Sequence, residues 1–93
     1  MRDIQRIANI SNILKNSYAV DILMDLIYGE KPFNFFSHKY GHDVTWVMRK
    51  MVDYGLIVKR FDKTKVPIGY VVSDHGRMIA HACIRFEKEL LQY

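Results

Sequence analysis

Cysteine is almost absent from this chain of 93 residues, in which Cys83 is the single example. A lone thiol excludes an intrachain disulfide framework and any metal site built from several thiolates. Cys83 can therefore form a disulfide only with another chain. Glycine and proline are scarce as well, with five and two residues, and no internal repeat, linker or low-complexity segment is present.

Long hydrophobic runs are also missing. A transmembrane helix needs about 20 consecutive apolar residues, whereas Asp21 and Asp25 interrupt the most hydrophobic stretch, YAVDILMDLIYG. The N-terminal stretch MRDIQRIANISNILKN has neither a continuous apolar segment nor a small-residue cleavage site, so it is not a secretion signal. We expect a cytoplasmic protein that does not enter a membrane.

Basic residues, in contrast, are plentiful. Fourteen lysines and arginines against ten acidic residues give a formal net charge of +4, which favours a polyanionic partner without requiring one. Hydrophobic residues make up 49% and charged residues 26%, as in ordinary globular proteins. Together with the length, this composition predicts one domain with one core, covering residues 1–93.

In the first half of the chain, apolar residues recur every three or four positions, which predicts helices. The first helix covers residues 2–14. The second begins at a cap at Asn16 or Ser17, and its outer face carries Asp21 and Asp25 as solvated side chains.

A short helix and a longer one follow. We expect Asn34 to cap the short helix, FFSHKY, and Gly41 to end it. The longer helix begins at His42 or Asp43 and ends at Gly55, in the left-handed conformation. Its apolar face contains Val44, Val47, Met48 and Met51. Its opposite face contains His42, Thr45, Trp46, Arg49 and Lys50.

From Leu56 the pattern becomes strand-like. The runs LIVKRF and PIGYVVS, joined by DKTKV, predict a β-hairpin with a polar, basic tip, in which Pro67 suits the start of the second strand. Ser73 is a suitable N-cap for a long final helix. The basic residues of the hairpin are Lys59, Arg60, Lys63 and Lys65.

The first and last helices each carry an apolar stripe that lacks a partner in so small a fold. The stripes contain Ile4 and Ile7 on the first helix, and Ile79, Ala82, Cys83, Phe86 and Leu90 on the last. We expect residues 1–15 and 74–93 to pack against a second copy about a two-fold axis. Near that axis Cys83 would meet its own copy, so we hypothesise an interchain Cys83–Cys83 disulfide. The alternative is a free, buried thiol that acts as a small hydrophobe.

The order of these elements predicts an α+β, winged helix-turn-helix fold with a three-helix core, a two-stranded wing over residues 56–72 and a long C-terminal dimerisation helix. The helix-turn-helix covers residues 34–54. A DNA major groove about 12 Å wide admits one α-helix, here residues 42–54. Of its outward side chains, those of Thr45, Trp46 and Arg49 suit contacts to base edges and sugars. The side chain of Lys50 suits a contact to phosphate. The basic hairpin would lie on phosphates or in an adjacent minor groove.

Two motifs carry a family resemblance over roughly residues 16–77. DYGLI leads from the fourth helix into the hairpin, and SDHGR opens the last helix. In these motifs the chain resembles MarR-type and related archaeal winged-helix regulators, and in size it is similar to the small winged-helix proteins of viruses of hyperthermophilic archaea.

That resemblance implies a homodimeric transcription regulator, acting inside a host cell if the source is viral. It implies base-facing roles for Thr45, Trp46 and Arg49, and places Lys63 and Lys65 on the wing. It also favours the interchain disulfide, because intracellular disulfides persist in hyperthermophiles. Trp46 departs from the family pattern, in which a smaller or polar residue is usual.

Catalysis and cofactor binding are not expected. The sequence has no glycine-rich phosphate loop and no convincing nucleophile and base pair. His38 and His42 lack the further ligands that a metal site needs.

The alternative to DNA binding is a winged-helix module for protein contacts, with Trp46 as the interface anchor. Trp46 could also pack in the core or in the dimer interface, and the hairpin lysines could be ordinary solvated loop residues.

Overall fold

The computed structural model describes residue 10, residues 12–15 and residues 18–91, without the side chains of residues 87 and 89–91. In this part the chain forms five helices and one two-stranded antiparallel sheet, a small α+β architecture compatible with a winged-helix layout. The described part of helix α1 is residue 10 and residues 12–14. The other elements are α2 (Ala19–Ile27), α3 (Phe33–Tyr40), α4 (Val44–Asp53), β1 (Ile57–Phe61), β2 (Pro67–Val72) and α5 (Asp74–Leu91).

The core lies between α2, α3, α4 and the base of the hairpin. The predicted apolar face of α4 is confirmed, because all four of its members are at most 1% exposed. Phe36 of α3 fills the space between the helices and the sheet, and its ring meets Tyr70 edge-on at 6.2 Å between centroids. Gly55 has φ +76°, the left-handed conformation that ends α4 as predicted.

The start of α3 differs from the prediction. Asn34 does not cap this helix: α3 begins at Phe33, and Pro32 occupies the N-cap position in extended conformation. Asn34 lies inside the first turn, where its carbonyl accepts a hydrogen bond from Ser37 Oγ at 3.2 Å. Pro32, with φ −74° and ψ 163°, already has the extended backbone that is typical of an N-cap residue, so the helix begins directly after it. The predicted cap at Asn16 or Ser17 lies outside the described residues.

Asp25 is a second correction. Instead of being solvated, its side chain is 15% exposed and accepts hydrogen bonds from Lys39 Nζ and Tyr40 Oη, both at 2.7 Å. These bonds tie α2 to the last turn of α3. Burial and the bond to Asp25 raise the pKa of Tyr40 to about 12. Helical periodicity places Asp25 beside its own neighbours on α2, and it carries no information about the end of α3.

The hairpin is attached to the body by one residue from the loop before α3. Lys31 exchanges two backbone hydrogen bonds with Tyr70, at 2.9 and 3.2 Å, and so extends the β1–β2 sheet by one bridge. Pro67 begins β2, as predicted. Gly69 faces Glu30 and Lys31 so closely that an added Cβ would stand 2.9 Å from Glu30 Cγ. Strand β2 is therefore held against the loop that precedes α3.

Helix α5 follows at once and lies against α2. Its predicted cap is confirmed: the Gly76 N–H donates to Ser73 Oγ at 2.9 Å. No helix in the described part of the chain combines the length and apolar character needed to cross a membrane.

Candidate nucleic-acid interface

Helix α4 presents a polar and aromatic face to the outside. Because its apolar residues all fall on the core side, the remaining positions must point away from the body. Trp46 is 52% exposed, which excludes the core position considered for it. The predicted residues His42, Thr45, Trp46, Arg49 and Lys50 are all exposed.

A groove of about 550 Å³ lies beside this face. Three segments form its walls: the start of α3, one edge of α4, and the hairpin. The residues are Pro32, Phe33 and Asn34; Thr45, Arg49, Val52 and Asp53; and Lys59, Pro67, Ile68, Gly69 and Tyr70. The hairpin thus stands on the same side of the molecule as the outward face of α4.

The structure divides the predicted DNA-contacting residues of α4 into two groups. Thr45 and Arg49 line the groove, while Trp46 is not among its described lining residues. Successive residues of a helix are rotated by about 100°, so Trp46 and Lys50 lie farther around α4, on the edge away from the hairpin. The face is continuous, yet only its hairpin side is concave.

Asp62 orders the tip of the hairpin. Its Oδ1 accepts hydrogen bonds from Thr64 N, Thr64 Oγ1 and Val66 N, at 2.8, 2.7 and 3.0 Å. These bonds lower the pKa of the Asp62 carboxyl, which therefore stays charged. Lys65 adopts φ +67°, the left-handed conformation that closes this turn. Lys63 and Lys65 are both exposed on the ordered tip.

Arg60 is placed differently from the two tip lysines. Its Nη1 donates to both carboxylate oxygens of Glu30, at 2.9 and 3.1 Å. Glu30 belongs to the loop between α2 and α3, so this ion pair fastens the hairpin to the body. Its charge is partly compensated before any partner arrives.

Sequence reasoning missed part of the groove. Lys59 pairs with Tyr70 across the sheet, so strand pairing could have placed these two side chains on one face. Ile68 lies where the register shifts, and regular alternation does not assign its face. The Lys59 ammonium lies 5.6 Å from the ring centroid of Phe61 and 6.0 Å from that of Tyr70. Phe33 had no such signal, because only the packing of α3 against the hairpin brings it to the groove.

The outer face of α5 carries exposed apolar residues where the dimer interface was predicted. Met78 and Phe86 are 69% and 63% exposed, and the exposed Ala82 lies between them at helical spacing. Cys83 is a free, half-buried thiol. Ile79 packs against the chain's own core, while Met78, absent from the predicted stripe, is open. Ile4, Ile7 and the side chain of Leu90 lie outside the described residues.

No protein-family model matches this sequence, and no curated protein is significantly similar to it. Within the described residues, no three histidine, cysteine, aspartate or glutamate side chains come together as metal ligands would.

Proposed function

We propose that the protein is a winged helix-turn-helix transcription regulator that binds duplex DNA sequence-specifically as a homodimer, and that it is not an enzyme. In this proposal α3, the turn at Gly41 and α4 are the helix-turn-helix, and β1 and β2 are the wing. The observation that carries it is the placement of Arg49 and Thr45 on one wall of the groove and Lys59 on the other. An outward helix and a cationic hairpin then face the same ligand.

Exposed residues of α4, of the turn before it and of the hairpin tip have chemical roles in this arrangement. The Arg49 guanidinium can donate two hydrogen bonds to a guanine in the major groove, and Thr45 can reach a base or a phosphate. Trp46 offers an apolar surface to thymine methyl groups or sugars. His42, Lys50, Lys63 and Lys65 supply contacts to the backbone, where charge matters more than exact geometry.

The dimer gives the proposed site its symmetry. Exposed apolar residues on α5 would be covered by the same residues of a second copy, as a two-fold interface requires. Two recognition helices would then enter the DNA about 34 Å apart, on a near-palindromic site. Cys83, half-buried beside this stripe, is the proposed point of an interchain disulfide.

Selection of bound sequences from random duplex DNA tests the proposal directly. We expect an enriched near-palindrome for the wild-type protein, and loss of one base preference per half-site for Arg49→Ala. On the selected site, Arg49→Ala should cost about 1 to 3 kcal/mol of binding free energy, with a much smaller loss on random DNA. Equal losses on both would make Arg49 a phosphate contact, and the absence of any enriched sequence would contradict specific recognition.

A protein-interaction module is the competing proposal, and the exposure of Trp46 favours it. An exposed indole on a helix is a suitable anchor for a partner protein. Salt separates the two functions. Binding to DNA weakens steeply as salt rises, because counterions are released from the phosphates, whereas an interface centred on Trp46 is nearly indifferent to salt.

A further inference from the structure

The groove has a lining that duplex phosphates alone do not explain. Surfaces that contact the DNA backbone present mainly cations and neutral hydrogen-bond donors. Here, Phe33 and Ile68 are 36% and 42% exposed, and Val52 and the acidic Asp53 line the same groove. A phosphate placed beside Asp53 would be repelled, so another part of a nucleotide fits that wall better.

Parts of the groove wall are conformationally restricted before any ligand binds. Both prolines of the chain, Pro32 and Pro67, stand in its walls, and proline fixes its own φ. Tyr70, which also lines the groove, is 7% exposed, and its backbone N–H and C=O both form hydrogen bonds with Lys31. A preformed concave site loses little conformational entropy on binding, which favours affinity for a small group.

We propose that this groove holds a single unpaired nucleotide of the bound DNA, with its base against Phe33 and Ile68. This inference rests on the proposed function, since it concerns DNA already held by α4 and the hairpin. A volume of about 550 Å³ falls within the range typical of small-ligand sites. Aromatic and apolar side chains beside a cationic backbone track are how proteins bind unstacked bases.

Charge complementarity orients the nucleotide. Lys59 lines the groove on the hairpin side and suits a phosphate beside the base, while Asp53 can only accept hydrogen bonds when ionised. Guanine has two adjacent donors on its Watson–Crick edge, N1–H and N2–H, and can therefore bind the two carboxylate oxygens together. Thymine offers one donor there. An unpaired guanine is accordingly the preferred occupant.

The test uses the full chain and three fluorescently labelled duplexes of one random sequence: fully paired, with one extra unpaired guanine, and with one extra unpaired thymine. An unpaired base is already free of its complement, so its extrusion is least costly. We expect the unpaired-guanine duplex to bind roughly 5-fold to 100-fold more tightly than the paired one, the range of base–aromatic stacking. The unpaired thymine should give a smaller gain.

Single substitutions test whether the preference for an unpaired guanine comes from the groove. Phe33→Ala and Ile68→Ala should each lower the ratio of unpaired-guanine to paired affinity, and Asp53→Asn should remove the difference between guanine and thymine. Trp46→Ala is the control, because it removes an exposed aromatic side chain outside the groove. It should lower the affinity for all three duplexes in parallel and keep their ratio.

The failures of the two proposals are distinguishable. Equal wild-type affinity for all three duplexes, with steep salt dependence intact, would overturn this inference and leave duplex recognition standing. A preference that survives in both Phe33→Ala and Ile68→Ala, each shown to be folded by circular dichroism, would also overturn it. No binding to any of these duplexes would overturn this inference, whereas selection from random DNA decides the proposed function separately.

Discussion

At the residue scale, two small residues, Ser73 and Gly76, determine how α5 begins. Ser73 Oγ accepts the Gly76 N–H and lies within hydrogen-bond distance of the Gly55 and Leu56 carbonyl oxygens, at 2.6 and 2.9 Å. Gly76 then packs directly on the Leu56 carbonyl, where any Cβ would collide with the oxygen. The serine and glycine of the SDHGR motif thus have a structural reason in this chain: one caps the helix and the other lets it approach.

Gly76→Ala sets two effects against each other. Alanine is favoured over glycine in a helix by about 1 kcal/mol, but a new methyl group against a fixed backbone oxygen typically costs about 1 to 3 kcal/mol. Because the Leu56 carbonyl is held by Ser73, the collision should dominate and the free energy of unfolding should fall. Urea denaturation measures the change, with His81→Ala on the exposed face of the same helix as control. A more stable Gly76→Ala protein would contradict the packing described.

Tyr40 gives a pH dependence with a definite sign. Its pKa is raised from 10.0 to about 12 in the folded protein, chiefly by burial and next by its bond to Asp25. Below pH 10 the phenol keeps its proton in both states, whereas between pH 10 and 12 the unfolded chain loses it first. Stability is therefore present at lower pH and is lost as pH rises through that window.

In Tyr40→Phe, the fall in unfolding free energy between pH 9.5 and 11.5 should be smaller than in the wild type. At pH 7 the variant should lose about 1 kcal/mol, the usual net value of one hydrogen bond. Tyr28→Phe is the matched control, because Tyr28 is 86% exposed. An unchanged alkaline fall in Tyr40→Phe would contradict a raised pKa of Tyr40, whether from burial or from the bond to Asp25.

At the scale of elements, the hairpin carries basic residues in two different settings. Lys63 and Lys65 are exposed on a tip ordered by Asp62, whereas Arg60 is paired with Glu30 near the strand end. A cation that is already paired releases fewer counterions when it meets a phosphate. The hairpin should therefore contact DNA mainly through its tip, with Arg60 holding its orientation.

The salt dependence of DNA binding should separate these settings. Lys63→Ala should reduce the slope of log affinity against log salt by about one unit, and Arg60→Ala should reduce it by less. Lys88→Ala, which removes the same charge from the exposed surface of α5, should leave the slope unchanged. Fluorescence anisotropy over a salt series measures all three. Equal slopes for the Arg60 and Lys63 variants would mean that the Glu30 pair opens when DNA binds.

At the scale of the whole molecule, the dimer proposal requires a second copy of the chain to cover the exposed apolar residues of α5. Met78→Glu and Phe86→Glu should each shift the protein from dimer to monomer in sedimentation velocity, because a carboxylate would be buried in the apolar interface. Both side chains are exposed in the single chain, so its own fold should survive. Arg77→Glu introduces the same group at an exposed position outside this apolar stripe and should leave the dimer intact. A wild-type protein that sediments as a monomer would contradict the proposed symmetry.

Cys83 tests the same interface chemically. If two Cys83 thiols meet near the two-fold axis, protein alkylated at lysis should migrate at twice the monomer mass of 11.0 kDa in non-reducing electrophoresis. Cys83→Ser should abolish that band. Migration of alkylated wild-type protein at the monomer mass would support the alternative, a free thiol that acts as a small hydrophobe.

Local patterns predicted much of the fold. The apolar phase of α4, the left-handed end at Gly55, the hairpin and the Ser73 cap all depend on residues within a few positions of one another. The predicted cap at Asn34 was wrong because two local signals competed there, and α3 begins earlier, directly after Pro32. The exposure of Trp46 followed from the same periodicity, since four apolar neighbours already filled the core side of its helix.

The candidate site needed the tertiary structure. The bonds from Tyr40 to Asp25, from Lys31 to Tyr70 and from Arg60 to Glu30 join residues far apart in the chain. Periodicity assigns a side chain to a face of its own element, but it does not say which element lies opposite. For α4, apolar periodicity alone was enough to predict which residues point outward, although the same reasoning was wrong for Asp25 of α2. Only the packing of α3 against α4 and the hairpin decided that some of them form a groove, because that depends on how separate elements meet.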